Sequence, residues 1–106
     1  MAQFDVHRNV GKHRDSIPYV VVAQPRLFDN YRRRVVIPLV RKAQLGRIPD
    51  SRLNPAFKVK GIVVVLHPLE IVSVANDQLG ERVGSLADEA DAIIAALDEL
   101  FTRAFG

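Results

Sequence analysis

The chain has 106 residues, of which 48% are hydrophobic and 25% charged, as in a globular domain and unlike a disordered segment. It has no cysteine, which excludes disulfides and thiol chemistry, and its net charge of +3 favours an acidic partner but is too small for a nucleic-acid-binding tail. No apolar run approaches the roughly 20 residues that cross a bilayer, and the N-terminus lacks a signal-peptide pattern. We therefore expect one domain over residues 1–106, in the cytoplasm and without contact with a membrane.

The first half of the chain has the pattern of β-strands. Apolar residues alternate over 3–8, and the β-branched, apolar residues of 17–23 and 35–40 are typical of buried strands. Pro38 cannot donate to a ladder of hydrogen bonds, which predicts a sheet edge or a bulge at that position.

A hairpin follows in the sequence. Residues 57–59 and 62–66 flank Lys60-Gly61, a fair two-residue turn, and 62–66 is expected to be the most buried strand. Residues 70–74 predict one further short strand.

The last quarter of the chain changes to a helical period. Ser85 is a good N-cap, and the carboxylates of Asp88 and Glu89 suit the first turn of a helix. The apolar residues at i, i+3 and i+4 spacing, which predict the buried stripe, are Leu86, Ala90, Ile93, Leu97, Leu100, Phe101 and Ala104. The predicted fold is mainly β, a strongly curved antiparallel sheet capped by a C-terminal helix.

Residues with catalytic potential do not form a set. His7, His13 and His67 have no metal-ligand spacing, the serines have no strand–serine–helix elbow, and the glycines are too scattered for a phosphate loop. The pattern favours binding over catalysis, without a metal or cofactor.

Two charged surfaces stand out. The segment Arg32–Arg34, followed by Arg41 and Lys42, is the densest positive cluster, and it either binds phosphate or carboxylate groups or protects strand edges from aggregation. On the helix, Asp91 and Asp98 lie on one side with Ala95 between them and Ile94 beside them, a side open to a partner.

Six segments in this order carry a family resemblance: QFDVHRN, YVVVAQ, RRRVVIPLV, SRLNPAFKVKG, LGERVGSLAD and IIAALDELF. Together they resemble the CcdB family of bacterial toxins over nearly the whole chain. The resemblance implies the CcdB/Kid/MazF-type toxin fold, a small SH3-like barrel with a C-terminal helix, and a homodimer.

The resemblance also implies a function. CcdB-like proteins are the toxins of type II toxin–antitoxin modules; they bind the A subunit of DNA gyrase, trap its cleavage complex and do no chemistry themselves. A cognate CcdA-like antitoxin with a disordered segment neutralises them. Toxin and antitoxin together repress their operon, so the toxin meets DNA only indirectly, through that complex.

The gyrase-contacting positions of the family can be carried over to this sequence. One set lies in the loop before RRRVVIPL, a second on the exposed helix face, and a third after the helix. The family has glycine where this chain has Arg103, and its apolar end is displaced here from Ala104 to Phe105. The carried-over residues are Leu27, Phe28, Asp29, Asp91, Ile94, Ala95, Asp98, Thr102, Arg103, Ala104 and Phe105.

Basic residues would suit the acidic segment of an antitoxin. Those expected to bind it are Arg8, Lys12, Arg14, Arg33 and Arg34. Two other functions stay open: an endoribonuclease toxin of the MazF or Kid type, in which a histidine, an arginine and an aspartate cleave RNA, and a non-toxic interaction or repressor module.

Overall fold

Seven strands among the described residues form one antiparallel sheet that packs against a C-terminal helix. The computed structural model describes residues 2–46 and 51–103, and for the last two of these only the backbone. The strands are β1 (Asp5–Asn9), β2 (Tyr19–Val22), β3 (Arg33–Arg41), β4 (Ala56–Val59), β5 (Ile62–Leu66), β6 (Val72–Ala75) and β7 (Leu79–Ser85), and the helices are α1 (Lys42–Leu45) and α2 (Ala90–Asp98). The predicted fold class, a curved antiparallel sheet with a C-terminal helix, is confirmed.

The sheet has the strand order β4-β5-β3-β2-β1-β7, and β6 also pairs with β3. Its inner face and α2 enclose the main core, in which Ile37, Leu39, Leu66 and Ile93 are fully buried. Valines of β2 and β3 form a smaller cluster that Val74 and Leu79 cover. None of the helices in the described part of the chain has the length and apolar character that a membrane crossing requires.

Pro38 lies within the central strand β3, where an edge or a bulge was expected. On one side of β3 it stands opposite Val20 of β2. On the other side β3 changes partner, from β6 at residues 33–36 to β5 at residues 39–41. The carbonyl of Pro38 accepts a hydrogen bond from the N–H of His67 on that side, at 3.0 Å. The missing N–H of Pro38 therefore falls in the gap between two partner strands, where no ladder bond is lost.

The predicted hairpin is confirmed, but its burial differs from the expectation. Lys60 and Gly61 have φ values of 51° and 80°, the left-handed conformation that a two-residue turn of type I′ requires at both positions. Val63 of β5 is exposed, whereas all four residues of β2 are buried. Strand β2 is the more buried one because it lies between β1 and β3 and is covered on both faces.

Strand β7 was not predicted, and the helix begins later than expected. A Cβ on Gly80 would lie 2.7 Å from the carbonyl oxygen of Arg8, so only glycine allows β7 to approach β1 this closely.

Ser85 ends β7, and its Oγ accepts a hydrogen bond from the N–H of Ala87 at 3.1 Å. A 3-10 turn at Ala87–Glu89 precedes α2, with Leu86 at its N-cap, so Ser85 bonds to the first residue of that turn and does not cap the helix. Likewise, a 3-10 turn occupies residues 68–70, and β6 begins two residues after the predicted strand start.

The buried stripe of the helix is shorter than predicted. Ile93 and Ala96 are fully buried, and Leu97 packs against the core cluster. Phe101 is 65% exposed, so its predicted place in the core is wrong. It lies a full turn beyond Leu97, in a π-helical turn at Glu99–Arg103 that extends past the core. The predicted burial of Ala104 lies outside the described residues.

Candidate partner-binding surfaces

The turn between β2 and β3 presents apolar side chains to solvent. After Pro25 the chain forms a 3-10 turn at Arg26–Phe28. Leu27 is 81% exposed, and the rings of Phe28 and Tyr31 are also exposed, with their centroids 6.1 Å apart. Exposed apolar side chains grouped on one turn are typical of a protein-binding surface.

Two polar side chains, those of Gln24 and Arg34, form hydrogen bonds to the backbone of this turn. Gln24 donates from Nε2 to the carbonyl of Phe28 at 2.9 Å and accepts from the N–H of Val35 at 3.1 Å. Arg34 donates to the carbonyls of Asp29 and Tyr31, which lie on either side of the bend. The exposed residues Leu27 and Phe28 therefore stand on a fixed backbone, which lowers the entropy lost when a partner binds.

A cavity of about 470 Å³ opens beside the turn. Its lining is mostly apolar and includes Ala23, Val35 and the rings of Phe28 and Tyr31. Arg33 stands at its side with Nε and Nη2 bonded to Ser73, at 2.7 Å to Oγ and 2.6 Å to the carbonyl oxygen. The cavity can take an apolar side chain from a partner.

The outer face of α2 presents a second apolar surface. Asp91, Ile94 and Asp98 are exposed and Ala95 is half-buried, so all four residues carried over from the family lie where a partner can reach them. The exposed ring of Phe101 follows Ile94 by seven residues and extends this surface. The seven-residue spacing from Ile94 could have predicted that Phe101 lies on the exposed face. A place in the buried stripe was predicted instead, because Phe101 also fits the apolar spacing of that stripe. The side chains of Thr102 and Arg103, and the residues Ala104 and Phe105, lie outside the description.

The predicted antitoxin residues fall into different environments. Arg34 is only 4% exposed, and its Nε lies 3.7 Å from Oδ1 of Asp29. It cannot contact a partner without opening the turn, so we remove it from the antitoxin surface and assign it to supporting the turn. Arg33 is exposed, but it cross-links β3 to β6 through Ser73, as expected for a side chain that protects a strand. Lys12 is exposed in the loop after β1.

Arg8 and Arg14 line one polar cavity of about 520 Å³ together with Arg41. We call this cavity the arginine basin. Arg41, which was not among the predicted antitoxin residues, donates from Nε to the carbonyl of Asp15 at 2.8 Å. Because this bond uses Nε, the two terminal nitrogens of the guanidinium group do not take part in the contact with Asp15. Arg8 and Arg14 come from β1 and the loop after it, and Arg41 from the end of β3, so only the fold brings the three together.

Arg8 also pairs with Glu81 of the neighbouring strand β7. The Nε of Arg8 donates to Oε1 of Glu81 at 2.6 Å. This hydrogen bond and the charge of Arg8 lower the pKa of the Glu81 carboxyl below its ordinary value, and the same bond raises the pKa of Arg8. Both side chains are exposed, so the pair orients Arg8 at the basin and contributes little to stability.

The histidines do not gather at either surface. His7 is buried in β1, and its Nδ1 donates to the carbonyl of Gly80 at 2.9 Å, because a carbonyl can only accept. It joins β1 to β7. Over residues 2–46 and 51–103 no group of three or more histidine, cysteine or carboxylate side chains is arranged to hold a metal ion.

Comparison with known families decides the relationship. The model of the CcdB family, described as CcdB protein, matches residues 3–103. The chain belongs to the CcdB family. It is accordingly the toxin of a toxin–antitoxin system, as the resemblance implied. A search of curated proteins gave no match.

Proposed function

We propose that this CcdB-family toxin binds the A subunit of DNA gyrase and stabilises the complex in which gyrase holds broken DNA. It acts by binding, as a homodimer, and needs neither a catalytic residue nor a cofactor. The observation that carries the proposal is the outer face of α2, where Ile94 is exposed between the carboxylates of Asp91 and Asp98 and the exposed ring of Phe101 follows in the next turn.

The chemistry of this face suits a protein interface. Apolar side chains at the centre of an interface supply most of its affinity, and polar groups at the rim supply orientation. A partner that carries basic residues around an apolar patch would be complementary to Asp91, Ile94 and Asp98. The rigid turn with Leu27 and Phe28 offers a second set of contacts of the same kind.

The antitoxin is proposed to contact a different surface. Its acidic, disordered segment pairs with the arginine basin, to which Arg8, Arg14 and Arg41 contribute, and with Lys12 nearby. Arg33 adds a further positive charge beside the cavity next to the turn. Toxin and antitoxin together repress their operon, and DNA is contacted only through that complex.

Equilibrium binding of the purified protein to the gyrase A subunit tests the proposal. We expect binding that Ile94→Asp weakens about 30-fold or more, because a charge replaces an apolar anchor worth about 2 kcal/mol or more. Leu69→Asp is the matched control, since Leu69 is also apolar and exposed but lies in the turn after β5. Equal effects of the two substitutions would contradict the proposed surface.

The same preparation distinguishes the two other functions. Incubation with RNA should leave the RNA intact, and cleavage would assign the protein to endoribonuclease toxins of the MazF or Kid type. Binding to the antitoxin without binding to gyrase would identify an interaction or repressor module that is no longer toxic.

A further inference from the structure

The end of the helix lies beyond the packing that holds the rest of it. Ala96 and Leu97 are its last residues in or against the main core. The π-helical turn at Glu99–Arg103 continues from there and carries the exposed ring of Phe101. Helix ends fray where no tertiary contact supports them. π-Helical turns are rare in proteins, and those that occur are often found at functional sites. Contacts outside the main core must therefore keep this π-helical turn ordered.

The charges at this end also oppose the helix. Asp98 and Glu99 place two carboxylates at the C-terminal end, where the helix dipole is negative. The side chain of Glu99 is only 16% exposed, so its charge is largely removed from water. A carboxylate in that position requires a cationic partner.

Arg52 is one such partner. Its Nε lies 3.4 Å from Oε1 of Glu99, at the first residue of the π-helical turn. The segment that carries Arg52 is anchored to β5: buried Asn54 donates from Nδ2 to the carbonyl of Leu66 at 3.1 Å, and the carbonyl of Pro55 accepts from the N–H of Leu66 at 2.9 Å. Arg52 thus links the end of the helix to the sheet.

We propose that Arg52 is a positioning residue for gyrase binding. Its ion pair with Glu99 keeps the π-helical turn ordered, so that Phe101 is presented in one arrangement. The inference rests on the proposed function, because it assigns a role in contact with gyrase to a residue that need not touch gyrase. Without the pair the turn is ordered for only part of the time, and the apparent affinity falls by that fraction.

Charge reversal and charge exchange test this role. Arg52→Glu and Glu99→Arg are each expected to lower the affinity for gyrase about fivefold, the upper range for an ion pair in which one partner, here Arg52, is exposed. The double variant with both changes is expected to recover to within about twofold of the unchanged protein, since the charges are exchanged. Arg52→Lys keeps the positive charge, so its affinity for gyrase should also stay within about twofold of that of the unchanged protein. Lys58→Glu, a reversal at an exposed position of β4, is the control and should change little.

A second measurement separates this inference from the proposed function. Amide hydrogen exchange at residues 99–103 should be faster in each single variant and return to the original rate in the exchanged pair, while exchange in β2 stays unchanged. Unchanged exchange at residues 99–103 in Arg52→Glu, or a double variant no better than the singles, would overturn the role of Arg52. If the unchanged protein does not bind gyrase but exchange follows the ion pair, the proposed function fails and the ordering of the turn by Arg52 stands.

Discussion

The Nη2 atom of Arg34 donates a hydrogen bond to the backbone carbonyl of Asp29 at 2.8 Å. Through Nη1 the same guanidinium group also reaches the carbonyls of Tyr31 and Arg33. A buried charge thus supports the exposed turn that carries Leu27 and Phe28. The geometry of this candidate contact surface therefore depends on a buried side chain.

Replacement of Arg34 is predicted to destabilise the protein. Arg34→Leu removes the donors to three carbonyls and should lower the free energy of unfolding by about 3 kcal/mol, because those carbonyls lose their partner. Arg34→Lys should recover little, since one ammonium group cannot match the forked geometry of the guanidinium. Urea denaturation measures both changes. Arg32→Leu, an exposed neighbour, is the control, and a loss of similar size there would refute the role of Arg34.

Most of the strands and the C-terminal helix could be predicted from the sequence. The burial and the contacts of individual charged side chains could not. The hairpin followed from Lys60-Gly61, and the curved sheet with its helix followed from the change of hydrophobic period. Strand β7 could not be predicted from its own residues, because Gly80 and Gly84 weaken strand propensity and the need for glycine arises only from the nearness of Arg8.

The candidate site shows the same limit. Arg33 and Arg34 are adjacent and alike in sequence, yet alternation along β3 exposes one and buries the other beneath a turn. Arg41 reaches the arginine basin from a strand end 27 residues after Arg14 in the chain, so only the strand pairing reveals it. Phe101 fits the apolar spacing of the helix, but the core ends before it.

The arginine basin is predicted to bind the antitoxin through Arg41. Arg41→Glu should weaken antitoxin binding at least tenfold and reduce the salt dependence of the affinity, because a cation that faces a carboxylate becomes an anion. Lys42→Glu is the matched control, since it carries the same charge change one residue later and does not line the basin. Titration calorimetry at two salt concentrations measures both. Equal loss in the two variants would show a general charge effect and no basin.

The pair of Arg8 and Glu81 makes a prediction about pH. Because the pKa of Glu81 is lowered in the folded state, its contribution to stability is present above the ordinary carboxyl pKa and is lost as the pH falls through the lowered value. Arg8→Gln should raise the pKa of Glu81 towards its ordinary value, as followed by the carboxyl carbon resonance of Glu81 in NMR. An unchanged titration curve would mean that Arg8 does not hold this carboxylate.

The last two residues are predicted to serve gyrase and not the fold. Deletion of Phe105 and Gly106 should lower the affinity for the gyrase A subunit, since the proposed function makes Phe105 the apolar residue at the end of the family pattern. Melting temperature and antitoxin affinity should stay unchanged. A lower melting temperature after the deletion would instead show that Phe105 packs against the domain.

The most direct test of the central claim is a DNA cleavage assay with purified gyrase and supercoiled plasmid. The protein is predicted to trap the cleavage complex, so that linear DNA accumulates when the reaction is stopped with detergent. Ile94→Asp should produce much less linear DNA at the same concentration, and Leu69→Asp should match the unchanged protein. Absence of linear DNA at concentrations that saturate binding to gyrase would contradict the account.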